Sequence, residues 1–172
     1  MADARLGRPE AIDDLLLYRI NRLLQVAGSM VIRLCEGRFG ITRREWRVIA
    51  LLAADGEQLS SQLAERAQLD RARTSRAITS LVAKKLARRL PGQADRRQAR
   101  VALTPAGRAL YDELFPLVGE IHRGLVSVLD EGSVRQLDDA LGRLQQQADR
   151  MVAQAELPKA DRRRGGRAQR LG

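Results

Sequence analysis

From Ile12 to about Arg38 the apolar residues Ile12, Leu16, Ile20, Leu23, Ala27, Met30 or Val31 and Leu34 recur every three or four positions, as on one face of a long helix. Gly37 and Gly40 close that segment. Thr42-Arg43-Arg44-Glu45 has capping-box spacing, in which hydroxyl and carboxylate each satisfy an orphan backbone amide, so a second helix runs to about Ala54 and turns at Asp55-Gly56. Ser60 or Ser61 caps a short third helix through Arg66, and Asp70 caps a fourth through roughly Leu86. Only Ala67-Gln68-Leu69 separates them, which is the spacing of a helix-turn-helix. Ala87 to Leu90 and Ala99 to Leu103 then flank Pro91-Gly92-Gln93-Ala94-Asp95, the pattern of a two-stranded hairpin with a polar, basic tip, or wing.

Thr104-Pro105 opens a fifth helix, with a capping hydroxyl and a proline where its missing N–H is harmless. The apolar spacing carries it to about Leu129, with a kink or break expected at Pro116. A last helix starts near Ser133 and sets Val134, Leu137, Leu141, Leu144, Ala148, Met151 and Ala155 in a seven-residue repeat, a seam that must be buried against another helix. From Leu157 onward Pro, Gly and Arg replace the periodicity, as in a disordered basic tail.

The expected fold class is therefore mainly α with a small β-wing: a winged helix-turn-helix plus a helical dimerisation region from the N- and C-terminal helices. Residues 1–11 are an N-terminal arm, 12–38 and 105–156 the dimerisation region, 39–104 the DNA-binding domain and 157–172 the tail. Only two Phe, two Tyr and one Trp occur among 172 residues, so aliphatic side chains must fill the core. The formal charge of +10 calls for an anionic partner, and the tail carries half of that excess. No apolar run approaches the roughly 20 residues of a membrane span and no secretory leader opens the chain, so a cytoplasmic protein without a membrane partner is expected. One Cys and one His exclude an internal disulfide and argue against structural zinc. No Gly-rich phosphate loop or nucleophile–base set appears, so neither an enzyme nor a cofactor is expected.

Ten basic residues against one acid lie between Arg71 and Arg100, on the fourth helix and the wing. Advancing about 100° per residue, Thr74, Ile78, Leu81 and Val82 share one helix face while Arg73, Arg76, Ser80 and Lys84 lie opposite. Arginine matches guanine O6 and N7 in the major groove, which makes Arg73 and Arg76 the candidate base readers. Ser75, Ser80 and Lys84 are the candidate phosphate contacts, which set register.

The order of elements, the segment Leu69-Asp70-Arg71-Ala72-Arg73-Thr74-Ser75-Arg76-Ala77-Ile78, and Asp95-Arg96-Arg97 followed by Val101-Ala102-Leu103-Thr104-Pro105-Ala106-Gly107 resemble the MarR family of bacterial regulators over about residues 12 to 155. The resemblance implies a homodimer built from the first, fifth and sixth helices that binds a palindrome in double-stranded DNA, with repression as its expected effect. It implies Arg96 at the minor groove, Asp95 orienting neighbouring arginines and Arg97 supporting the wing. Many members have Ser and Thr where this chain has Ala72 and Arg73, and an aliphatic residue at Thr74, so base preference does not transfer.

The resemblance also implies a small-molecule effector, an aromatic or phenolic acid, held between the dimer helices and the winged helix. Tyr18, Arg22, Trp46 and His122 are the candidates, since aromatic faces stack on a ring and Arg pairs with a carboxylate. Trp46 equally suits the core. Two alternatives stand beside this reading: a redox switch at Cys35, against which its place in an amphipathic helix argues, and an architectural protein binding DNA without sequence preference.

Overall fold

The computed structural model describes residues 5–90 and 100–156. The chain divides into two compact units, one ending at Ser127 and the other beginning at Val128.

In the first unit a 3-10 turn, Ile12–Asp14, precedes helix α1, Leu16–Arg38. The long helix thus starts later than its apolar pattern suggests, because the Asp14 carboxylate accepts the backbone N–H groups of Glu10 and Ala11 and shapes a separate turn. Helix α2, Arg43–Asp55, begins on the Thr42-Glu45 capping box, with the Glu45 N–H donating to Thr42 Oγ1 at 3.2 Å and the Thr42 N–H to Glu45 Oε2 at 2.6 Å. A two-residue strand, β1 (Gln58–Leu59), follows, and it has no counterpart in the sequence pattern because two residues carry no periodicity.

Helix α3, Ser60–Arg66, corrects the expected serine cap: Leu59 holds that position, and the Gln62 carboxamide accepts its N–H at 3.1 Å. Asp70 caps α4, Arg71–Ala83, as expected, but α4 stops before Leu86. Lys85 adopts φ 59°, and the N–H groups of Lys85 and Leu86 turn back to the carbonyls of Val82 and Leu81. Strands β2, Ala87–Leu90, and β3, Arg100–Leu103, pair antiparallel with Ala87 opposite Leu103 and Leu90 opposite Arg100. β1 joins the other edge of β3, giving the order β1-β3-β2.

Helix α5, Pro105–Val126, runs through Pro116 without a break and ends slightly short of the expected Leu129. One aliphatic cluster, including Cys35, Ile41, Val48, Ile49, Leu63, Ile78, Leu81, Val101 and Leu114, ties α1 to α5 and the sheet together. In the second unit α6 spans Glu131–Gln154, starting before Ser133 because Asp130 accepts the Ser133 N–H at 2.7 Å. None of its residues is buried.

Candidate nucleic-acid interface

The turn between α3 and α4 is closed by hydrogen bonds from Leu69 N–H to Ala64 O and Gln68 N–H to Glu65 O, both 3.0 Å, with Gln68 at φ 51°. This is a helix end of the kind that usually has glycine at the left-handed position. Arg47, on α2, donates from Nη1 to the Ala67 carbonyl at 2.7 Å, satisfying an acceptor that α3 itself leaves open. Asp70 then fixes the start of α4 twice: its Oδ1 accepts the Arg73 N–H at 2.7 Å, and its Oδ2 lies 3.2 Å from Arg73 Nε.

Along α4 the inward face is Thr74, Ala77, Ile78 and Leu81, all buried, and Arg73, Ser75 and Arg76 are exposed. Thr74 tolerates burial because its hydroxyl donates to the Asp70 carbonyl at 3.0 Å. Arg73, Arg76, Ala77 and Ser80 line one side of a groove whose other side is Thr42, Arg44 and Glu45 from the start of α2. Arg44 is absent from the sequence-derived candidates. Within Thr42-Arg43-Arg44-Glu45 it reads as part of a helix start, and nothing in one dimension places it across from residues 73 and 76.

Glu45 is 2% exposed and accepts two contacts from Lys84 Nζ, at 2.9 and 3.0 Å, besides the Thr42 N–H and the Ser80 hydroxyl. Burial alone pushes its carboxyl up; the hydrogen bonds from Ser80, Thr42 and Lys84, with the Lys84 charge, outweigh that and hold it below its ordinary value. Lys84 also donates to Gly40 O at 2.8 Å. Ser80 and Lys84, expected at phosphates, thus have a structural duty that the sequence did not suggest: they lock α4 onto α2.

At the base of the wing Arg89 Nη2 donates to Thr79 Oγ1 at 2.8 Å, and Arg100 Nε pairs with Glu57 Oε1 at 3.2 Å. Asp95, Arg96 and Arg97 lie outside the described residues, as does the basic tail. The wing joins α5 at a close contact: the Thr104 hydroxyl donates to Lys85 O at 2.7 Å and accepts the Gly107 N–H at 3.1 Å. A Cβ on Gly107 would stand 1.9 Å from Leu86 O.

Of the effector candidates, Trp46 and His122 line one cavity between α1, α2 and α5, together with Leu24, Val31, Ile121, Arg43 and Arg47. Tyr18 and Arg22 lie elsewhere on α1, Arg22 being 3.8 Å from Asp13. Trp46 also belongs to the core, stacked on Tyr111 at 5.7 Å between ring centroids. Cys35 is fully buried, and burial, followed by the neighbouring Glu36 charge, pushes its thiol up despite an opposing pull from Arg43. Such a thiol is poorly placed to react with oxidants. Among the described residues no cluster of His, Cys, Asp or Glu suits a metal ion, and no helix is long and apolar enough to cross a membrane.

A short helix and a second helix with an outward basic face, joined by a tight turn and followed by a pair of strands that completes a three-stranded sheet with β1, define a winged helix-turn-helix protein. Residues 39–98 match the model of the MarR family. The HTH-type transcriptional regulator FarR of Neisseria gonorrhoeae is 33% identical over 104 residues, covering 60% of this chain and 71% of FarR. A MarR/EmrR family regulator from Acinetobacter sp. ADP1 superposes with a TM-score of 0.75 at 26% identity, over 82% of this chain and 99% of the other. A MarR family regulator from Silicibacter pomeroyi gives 0.71 at 27%, over 83% and 95%. The chain belongs to the MarR family of DNA-binding transcriptional regulators.

Proposed function

We propose that this regulator is a repressor that binds a palindromic operator as a homodimer, reading bases with Arg73 and Arg76, and that a small, apolar or aromatic acid releases it. The observation that carries this reading is the mounting of α4: its inner face is buried, its register is locked by Glu45 to Ser80 and Lys84, and its arginines face outward. A helix so held suits insertion into a major groove. Ser75 and Arg44 are the phosphate contacts in this proposal, and Asp95, Arg96 and Arg97 serve the wing.

Dimerisation through residues 12–38 and 105–156 is supported by uncovered apolar side chains. On α1, Leu17 is 78% and Val26 70% exposed, and on α6 Leu137, Leu141, Leu144 and Met151 are all exposed. Patches of this kind mark interaction sites. The cavity beside Trp46 and His122 is the effector site.

A polarisation titration against the DNA upstream of the chain's own gene and against a scrambled duplex, at physiological salt, tests the proposal. The expected result is discrimination by at least about a thousandfold. Equal affinity for both duplexes would favour a sequence-independent architectural protein.

A further inference from the structure

The effector cavity and the helix-turn-helix share one side chain. Arg47 lines the cavity and also donates to the Ala67 carbonyl at 2.7 Å, where α3 ends. Arg43 lines the same wall, its Nη1 packed against α1 at Gly28, 3.4 Å from where a Cβ there would be. Neither arginine has a carboxylate partner among the described residues. Burial and the Arg43 charge both lower the Arg47 pKa, as expected of two cations held close together. Apart from His122, the remaining walls are apolar and include Leu24, Val31, Val118, Ile121 and the Trp46 ring. Two guanidinium groups without carboxylate partners beside a largely apolar hollow suit a monocarboxylate with an apolar body, whose two oxygens match the parallel N–H groups of arginine.

We infer that a monocarboxylate in this cavity draws Arg47 away from Ala67, making Arg47 the relay by which occupancy loosens the turn that positions α4. The inference rests on the proposed acid effector and adds the route by which occupancy reaches the DNA-binding helix. The route is short because the displaced bond holds the Ala67 carbonyl, next in the chain to Gln68 at φ 51° in the turn. Removing a charge-assisted hydrogen bond from a carbonyl without an intrahelical donor favours opening there.

Trp46 is the sole tryptophan and lines the cavity, so its fluorescence reports occupancy without DNA. Benzoate and octanoate serve as probes and benzyl alcohol as the uncharged control, with amide hydrogen exchange of residues 67–70 as the second readout. Both acids should change the fluorescence, the alcohol should not, and saturation should speed exchange in the turn about tenfold. Arg47→Gln should show the faster exchange without any acid and no further change with it. Arg43→Gln should weaken acid binding and leave the acid-free turn as in the wild type. A fluorescence response with unchanged turn exchange would overturn the relay while the effector reading stands. An equal response to benzyl alcohol would overturn the carboxylate assignment, and no response to either acid would overturn the effector reading and the relay together.

Discussion

Gly107 occupies a position where a single methyl group decides whether the wing can meet α5. A Cβ there would stand 1.9 Å from the backbone oxygen of Leu86, which has no room to retreat because it accepts the Thr104 N–H at 3.1 Å. Gly107→Ala should therefore destabilise the fold by about 3 kcal/mol, measured by urea unfolding at fixed protein concentration. The Thr104-Pro105 helix start beside it is legible in the sequence, whereas the need for glycine two residues later is set by a carbonyl from a different element. Glu45 is similar: its capping role follows from spacing, but its bonds to Ser80 and Lys84 arise from packing. Because its carboxyl is more acidic folded than unfolded, it adds stability above the ordinary glutamate range, and that contribution fades as pH falls through the lower folded value. Glu45→Gln should cost about 1–2 kcal/mol near neutrality and flatten the acid limb of a stability–pH curve; an unchanged limb would mean that Glu45 is not a source of the acid sensitivity.

At the scale of elements, α4 is the best forecast piece, because a buried stripe and a basic stripe on one helix are a one-dimensional pattern. Its end is not: a Lys85 left-handed turn, where glycine is usual, stops the helix at Ala83 although the preceding composition would let it continue. Strand β1 escapes the pattern for a related reason, since it exists only by pairing Gln58 with Val101 and Leu59 with Arg100. The proposed function assigns two kinds of DNA contact to the groove between α4 and α2, and titration can distinguish them. Arg73→Ala and Arg76→Ala should each weaken operator binding about tenfold or more and relax preference at one base of each half-site. Arg44→Ala should weaken binding to all sequences alike and reduce the slope of log affinity against log salt by about 1. If the three variants behave identically, the division into readers and phosphate contacts fails.

For the whole molecule the governing feature is apolar surface that one chain leaves in water. The seam of α6 keeps Leu141 47% exposed, with Leu137 and Leu144 alongside. On the proposed dimer reading, Leu141→Glu should shift the protein from dimer to monomer in sedimentation velocity and lower operator affinity with it, since that reading requires two half-sites to be engaged together. A variant that stays dimeric would move the interface elsewhere.

Apart from the 3-10 turn and strand β1, the sequence by itself determined the kind of elements, their order, the basic face of α4 and the aliphatic nature of the core, because periodicity, caps and turn residues act between neighbours. Only the tertiary structure decided that Glu45 braces α4 through Ser80 and Lys84, that Arg44 joins Arg73 and Arg76, that Trp46 and His122 share a cavity with Arg43 and Arg47 and without Tyr18 or Arg22, and that Gly107 must lack a side chain. Those relations join residues far apart in the chain, and they exist only after burial of the common core has fixed the distances between the elements that carry them.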